Sequence, residues 1–337
     1  MKCTAEKKQA VILYILEKIK SNTPSLSRVV AESLDISTNT VHTYLNELLE
    51  KGIIQKQKRG EYSLVSTINK YTFKRSAGDL KDDLLPYEVC LKKSIAGLNS
   101  NIRDIWAYGL SEIVNNVIDH SQAETMELTV VQNYLETSVI LSDDGIGIFE
   151  KIKNHFDLPD LDEAICELFK GKLTTDEVNH SGEGIFFTSK MMDQFCIFSS
   201  NKVFAASKYD ADIILDFDKN LSGTLVYMAL SNFTKRTSSD IFNQYSSIDG
   251  NFSTTRIPLK QIFDAAPVSR SQAKRICHRL EKFKEVIIDF DGIEWMGQGF
   301  AHQIFVVFHN SHPDISIVPQ NMTENVENMY NHVVKTI

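Results

Sequence analysis

Glu112, Asn116 and Asp119 are spaced i, i+4 and i+7 in the stretch IRDIWAYGLSEIVNNVIDH (102–120). A helix there would project all three from one face. An acidic group and a carboxamide one turn apart suit Mg-nucleotide chemistry. The carboxylate can take a proton from an attacking water, and the amide oxygen can fill one place on octahedral Mg²⁺. Taken alone, the pattern reads equally well as an amphipathic helix that packs through Leu110, Ile113, Val114 and Val117.

Three further motifs follow in order. VILSDDGIGI (139–148) predicts an apolar strand that delivers Asp143 and then breaks at Gly145 and Gly147. A carboxylate at a strand end can accept the exocyclic amine of adenine, and the glycines let the backbone approach the base. HSGEGI (180–185) places Gly182 and Gly184 at the start of a predicted helix, Phe186–Asp193, where unpaired N–H groups and the helix dipole favour an anion. LSGTLVYMAL (221–230) brings Thr224 into another apolar strand. Each motif by itself fits an ordinary loop or cap; the four in this order over about 115 residues are a rarer coincidence.

E-x-x-x-N-x-x-D, D-x-G-x-G, G-x-G and the late G-T together resemble the GHKL family of ATP-binding domains (gyrase, heat-shock chaperone, histidine kinase, MutL). The resemblance implies a Bergerat-type α/β sandwich, a mixed sheet covered on one face by helices, with ATP and Mg²⁺ as cofactors. It gives Glu112 the role of general base in hydrolysing members and Asn116 that of Mg²⁺ ligand. It gives Asp143 the adenine contact and the Gly182–Gly184 helix start the phosphates. Asp119, Gly145, Gly147 and Thr224 complete the implied nucleotide set. Phe149–Ser181 would be a mobile lid, with Lys170, Lys172, Thr174 and Thr175 as phosphate contacts or as a solvated loop.

These motifs need elements on either side to hold them. At the N-terminus, KQAVILYILEKIK (8–20), LSRVVAESL (26–34) and Thr38–Glu50 each carry an apolar stripe at helical spacing, with Ser37 or Thr38 suited to cap the third helix. Ile53–Lys58 and Glu61–Val65 flank Arg59-Gly60 as a hairpin. Three helices and a hairpin resemble a winged helix-turn-helix. That resemblance implies DNA contacts from Thr38, Asn39, Thr40, His42, Thr43 and Asn46, and phosphate contacts from Lys56, Lys58 and Arg59. Glu47 and Glu50 oppose DNA at the helix end, and a purely protein-binding winged helix is the alternative.

The C-terminal third alternates β-α-β-α-β, with strands near 251–259, 285–290 and 315–318 and a basic helix over 269–283. VSRSQAK and IDFDGIEWMGQGF resemble the STAS-like domain of unknown function, and more distantly the anti-sigma-factor antagonist fold. The turn that would hold a phosphorylatable serine reads IEWMGQGF (293–300) and has no Ser, Thr or Tyr; Gln298 lies between two glycines.

The 337 residues therefore read as a multidomain α/β chain. Its predicted parts are a winged helix at 1–66, a linker at 67–89, a GHKL-like domain at 90–237 and a small STAS-like α/β domain at 238–337. Of 36 Lys+Arg and 44 Asp+Glu, residues 1–65 hold 10 and 7, a net of +3, and the rest hold 26 and 37, a net of −11. The N-terminal module thus stands apart electrostatically. Cys3, Cys90, Cys166, Cys196 and Cys277 form no C-x-x-C pair, which favours reduced, mostly buried thiols over a metal knuckle. No signal peptide or bilayer-length apolar run appears, so a cytoplasmic protein without membrane contact is expected.

The leading expectation is an ATP-dependent regulator in which nucleotide state governs a DNA-binding winged helix and a STAS-like module with an unidentified protein partner. An anti-sigma-type serine/threonine kinase and a non-hydrolysing nucleotide-binding adaptor are the alternatives; a homodimer is left open. Residues 43–119 contain no histidine, which disfavours a sensor histidine kinase.

Overall fold

The computed structural model describes residues 5–58, 60–173, 182–207, 213–246, 252–263 and 265–335. The chain divides into two compact units: Met1–Lys70 with Thr129–Val139 and Ala229–Thr234, and the remainder from Tyr71 onward.

In the first unit the three predicted helices form as α1 (Ala5–Lys20), α2 (Leu26–Leu34) and α3 (Thr38–Glu50). Ser37 caps α3, its Oγ accepting from Thr40 N at 3.1 Å. The wing is β1 (Ile54–Lys58) paired antiparallel with β2 (Glu61–Leu64). Ile15, Leu16, Val30, Val41, Leu45 and Leu48 are buried at its centre, as the apolar stripes require.

That core has a member no local sequence pattern assigns to it. Leu135 is buried among the helix residues, and Tyr134 packs against them. Both belong to a tight hairpin turn in which Asn133 Oδ1 accepts from the N–H of Leu135 (2.8 Å) and of Glu136 (3.1 Å). Lys20 pairs with Glu136, and Gln9 donates to the Tyr134 hydroxyl. Leu135→Ala is therefore expected to destabilise the winged helix by about 2–4 kcal/mol through the cavity left behind. Denaturant unfolding followed on the winged-helix signal of the full chain measures it. A loss below about 0.5 kcal/mol would show that the turn merely touches the helices.

Residues 67–89, expected as a linker, carry regular elements instead. Thr67–Lys74 forms β3, the outer strand of a five-stranded sheet, and α4 (Leu84–Pro86) runs into a wide helical turn at Tyr87–Leu91. An edge strand needs little apolar surface. Only Phe73 of β3 is buried, so its hydrophobic signal is weak. The sheet order is β3, β4 (Thr125–Gln132), β5 (Glu136–Asp143), β7 (Ile213–Ser231) and β6 (Gln194–Ser207).

Helix α5 (Ser100–Asn115) packs against α8 (Gly184–Met191), and α9 (Ser238–Tyr245) lies beside both. Between β5 and α8 the chain makes α6 (Ile148–His155) and α7 (Leu161–Lys170). Buried residues of α5 recur as Ile102, Ile105, Trp106, Gly109, Leu110, Ile113 and Val114, the period of a helix with one packed face.

The C-terminal part holds a three-stranded parallel sheet, β8 (Thr254–Pro258), β9 (Glu285–Asp289) and β10 (Ser316–Gln320), with β9 in the middle. Around it lie α10 (Leu259–Ile262), α11 (Arg270–Cys277), α12 (Gln298–His302), α13 (His309–Ser311) and α14 (Glu324–Val334). The basic helix thus stops at Cys277, well before the expected 283. Cys90, Cys166 and Cys277 are buried, and burial pushes each thiol up to about 12. No helix among the described residues is long and apolar enough to cross a membrane.

Candidate functional site

Strand β5 places its chemistry by period two. Thr137, Val139, Leu141 and Asp143 are all buried, so Asp143 turns inward with the apolar residues that precede it. The N–H of Gly145 donates to Asp143 Oδ1 at 2.8 Å, and the N–H of Thr224 on β7 also donates to this carboxylate. Burial outweighs both bonds, and with Asp144 adjacent it lifts the Asp143 pKa to about 6. The Thr224 hydroxyl accepts from Ile148 N at 3.1 Å, which fixes the first turn of α6 against β7.

These groups border a cavity of about 280 Å³. Its lining includes Glu112, Asn116, Asp143, Gly147, Gly182, Gly184 and Thr224, so residues separated by more than 100 positions meet at one void. Leu141, Ile148, Ile152, Ile185, Ile197 and Val226 supply apolar wall. Asn116 Nδ2 donates to Glu112 O at 2.8 Å, which commits the amide nitrogen to the helix and leaves Oδ1 as the atom suited to a cation. A Cβ added at Gly184 would lie 2.0 Å from Glu112 Oε2. The carboxylate therefore rests against the backbone that opens α8, and a larger residue there would have to push the Glu112 side chain aside.

Two expected members do not line the void. After Asn115 the helix widens into a π turn, Asn116–Ser121, and the extra residue rotates the face that follows. Asp119 is exposed as a result, and His120 borders the cavity in its place. Gly145 acts on Asp143 through its N–H instead of touching the void.

Lys170 and Lys172 are also displaced from their expected role. Lys170 is only 1% exposed and donates to Glu167, Arg275 O and His278 O. Lys172 donates to Lys282 O at 2.8 Å, between the rings of Phe252 and Phe283. Thr174 and Thr175 lie outside the described residues. Among the described residues, the lysine that borders the void is Lys151, whose Nζ donates to His120 O at 2.7 Å. Its position four residues past Gly147, on the first turn of α6, was the available signal.

On the winged helix, Thr38, Asn39, His42, Thr43 and Asn46 are exposed on α3, opposite the buried Val41, Leu45 and Leu48. Thr40 is half-buried and its N–H and hydroxyl are engaged with Ser37, while Thr43 Oγ1 donates to Asn39 O. Asn39, His42 and Asn46 are thus the side chains best placed to reach outward. Lys56 and Lys58 are exposed on β1, with Lys58 paired to Glu61; Arg59 lies outside the described residues. Lys51 and Lys8 pair with Glu47 and hold its carboxyl below the usual range, and their own positive charges offset the negative charge expected to repel DNA.

At the C-terminal turn, Gln298 is exposed at the start of α12 and Gly297 precedes it against Val268. A family model described as a winged helix-turn-helix DNA-binding module matches residues 14–55, and one described as a STAS-like domain of unknown function matches residues 272–327. The chain carries both modules. Neither match covers residues 56–271, where the cavity lies. No curated protein matches the chain. A DNA-binding winged helix and a STAS-like domain on one polypeptide are the composition of a regulator.

Proposed function

We propose that the cavity is a Mg-dependent ATP site of GHKL type, and that its nucleotide state governs the winged helix and the STAS-like domain. The observation that carries this reading is the meeting of Glu112, Asn116, Asp143 and the Gly182–Gly184 helix start around one void. Apolar walls suit a base, a buried carboxylate suits its amine, and a glycine-opened helix suits phosphates.

Among the described residues no cluster of three or more His, Cys, Asp or Glu could enclose a metal ion. The donor set suits Mg²⁺ all the same, because that ion keeps water and phosphate oxygens and asks for one or two protein ligands. Asn116 Oδ1 would hold it. The chemistry that Mg-nucleotide supplies is a phosphoanhydride activated for attack. Glu112 would take the proton of the attacking water at its carboxylate, and Lys151 would offset anionic charge beside His120.

Titration of the full chain with ATP, with and without Mg²⁺, tests the reading directly; no heat and no shift of the unfolding temperature would overturn it. Free phosphate and protein-bound label from γ-labelled ATP then separate hydrolysis from transfer.

The DNA reading has its own test. Lys56→Ala with Lys58→Ala is expected to weaken binding to genomic fragments uniformly and to lower the salt slope by up to about 2. The full chain is the right material, since Leu135 belongs to the winged-helix core. An unchanged slope would remove the wing from the interface.

A further inference from the structure

The strongest unexplained chemistry lies in a buried ionic network on α7. Lys170 uses all three of its ammonium donors: Glu167 Oε1 at 2.6 Å, His278 O at 2.9 Å and Arg275 O at 3.0 Å. The two carbonyls belong to the last turn of α11, where a helix leaves its acceptors without intrahelical partners and carries partial negative charge. Lys170 therefore caps a helix of the STAS-like domain from outside it.

The same seam is tied from both sides. Glu167 also meets His278 Nδ1 at 3.1 Å, and Arg275 pairs with Glu163 at 2.9 Å. Thr255, fully buried on β8, donates to Lys170 O at 2.6 Å, and Arg279 donates to Lys172 O at 3.0 Å. Gly171, at φ +79°, threads past Phe252, and a Cβ there would lie 2.8 Å from that ring. Two residues past Gly171, Leu173 lines the cavity and donates its N–H to Gly182 O at 2.8 Å.

We propose that the STAS-like domain is the regulator of the cavity, holding the Leu173 wall closed through the α7 latch centred on Lys170. This rests on the nucleotide reading above. Displacing α11 takes two of its three acceptors from the Lys170 ammonium and the donor from both carbonyls at once, leaving only the Lys170–Glu167 pair within α7. A partner that pulls the STAS-like domain from α7 would loosen the Leu173 wall and speed nucleotide exchange. By linkage, the factor by which such a partner lowers nucleotide affinity is the factor by which bound nucleotide lowers the partner's affinity.

The test uses the full chain with a fluorescent ATP analogue and Mg²⁺, measuring its dissociation rate, together with amide hydrogen exchange. Lys170→Met is expected to speed dissociation by at least about tenfold, the loss of one or more charged hydrogen bonds at the wall. Exchange should rise jointly over 161–173 and 270–283. Should Lys170→Met fail to fold, Thr255→Val removes one bond almost isosterically and is expected to act in the same direction to a smaller extent. Thr255→Ser, which keeps the hydroxyl, is expected to behave as wild type. In the wild type, analogue binding should slow exchange over 270–283.

Wild-type retention with unchanged dissociation in both variants would overturn the latch while leaving the nucleotide site standing. A rise in exchange confined to 161–173 would overturn it as well. A wild type that retains no analogue would overturn the nucleotide reading and this proposal with it.

Discussion

Glu112→Ala is expected to bind ATP with Mg²⁺ about as well as the wild type and to turn it over at least about a hundredfold more slowly. Glu112 borders the cavity at the start of α8, where its carboxylate presses on Gly184. A group in that place faces the phosphate end of a nucleotide seated with its base on Asp143. On the proposed reading, removing it would take away the proton acceptor and leave the base and Mg²⁺ contacts in place. Glu112→Gln keeps the shape and loses the basicity, so the two variants should be equally slow. Single-turnover release of labelled phosphate measures the step. Equal turnover by wild type and both variants would mean that Glu112 is packing, and that any cleavage proceeds without it. Asn116→Ala separates the roles from the other direction, since it should weaken binding only when Mg²⁺ is present.

The sequence carried the elements whose periodicity is regular. The α5 stripe of Leu110, Ile113 and Val114 is buried in the structure, and the apolar strand that delivers Asp143 forms as β5. What periodicity could not carry was the π turn after Asn115, because no glycine or proline marks it. That single extra residue exchanged Asp119 for His120 at the void. Strand β3 is illegible for a different reason: one buried residue, Phe73, gives an edge strand almost no hydrophobic pattern.

Lys170 is neither a phosphate contact nor part of a solvated loop, because two of its three partners are backbone carbonyls more than 100 residues away. A local motif reports what a lysine could bind, and the unpaired end of a distant helix decides what it does bind. Leu135 is the same case in apolar form, since a hairpin turn ordinarily faces water and here completes a core built by helices more than 80 residues earlier in the chain.

Asp143→Asn is expected to raise stability and lower nucleotide affinity at once, and the opposed signs make it the most discriminating substitution. Burial lifts the Asp143 pKa from 3.8 to about 6. Between those values the folded carboxyl holds a proton that the unfolded chain has released, so stability falls as pH rises through that window. Above about pH 6 the folded protein carries a buried charge that the unfolded chain would solvate freely, a deficit of roughly 3 kcal/mol. Asparagine cannot ionise and can still accept from Gly145 N, so the variant should unfold at higher temperature than the wild type above pH 6. Below about pH 4 the two should converge. Nucleotide affinity should move the other way, falling at least about tenfold at pH 7.5 with loss of the charge-assisted bond. Wild-type affinity should itself decline as pH drops through about 6, and the variant's should stay flat. Calorimetry of unfolding and of binding across pH 4–8 reads both. A carboxylate kept only for structure would show lower stability in the variant and no pH-dependent binding. A carboxylate held charged and buried at a cost to the fold is there for something that binds it, and that pairing of gain and loss is what the two titrations would reveal.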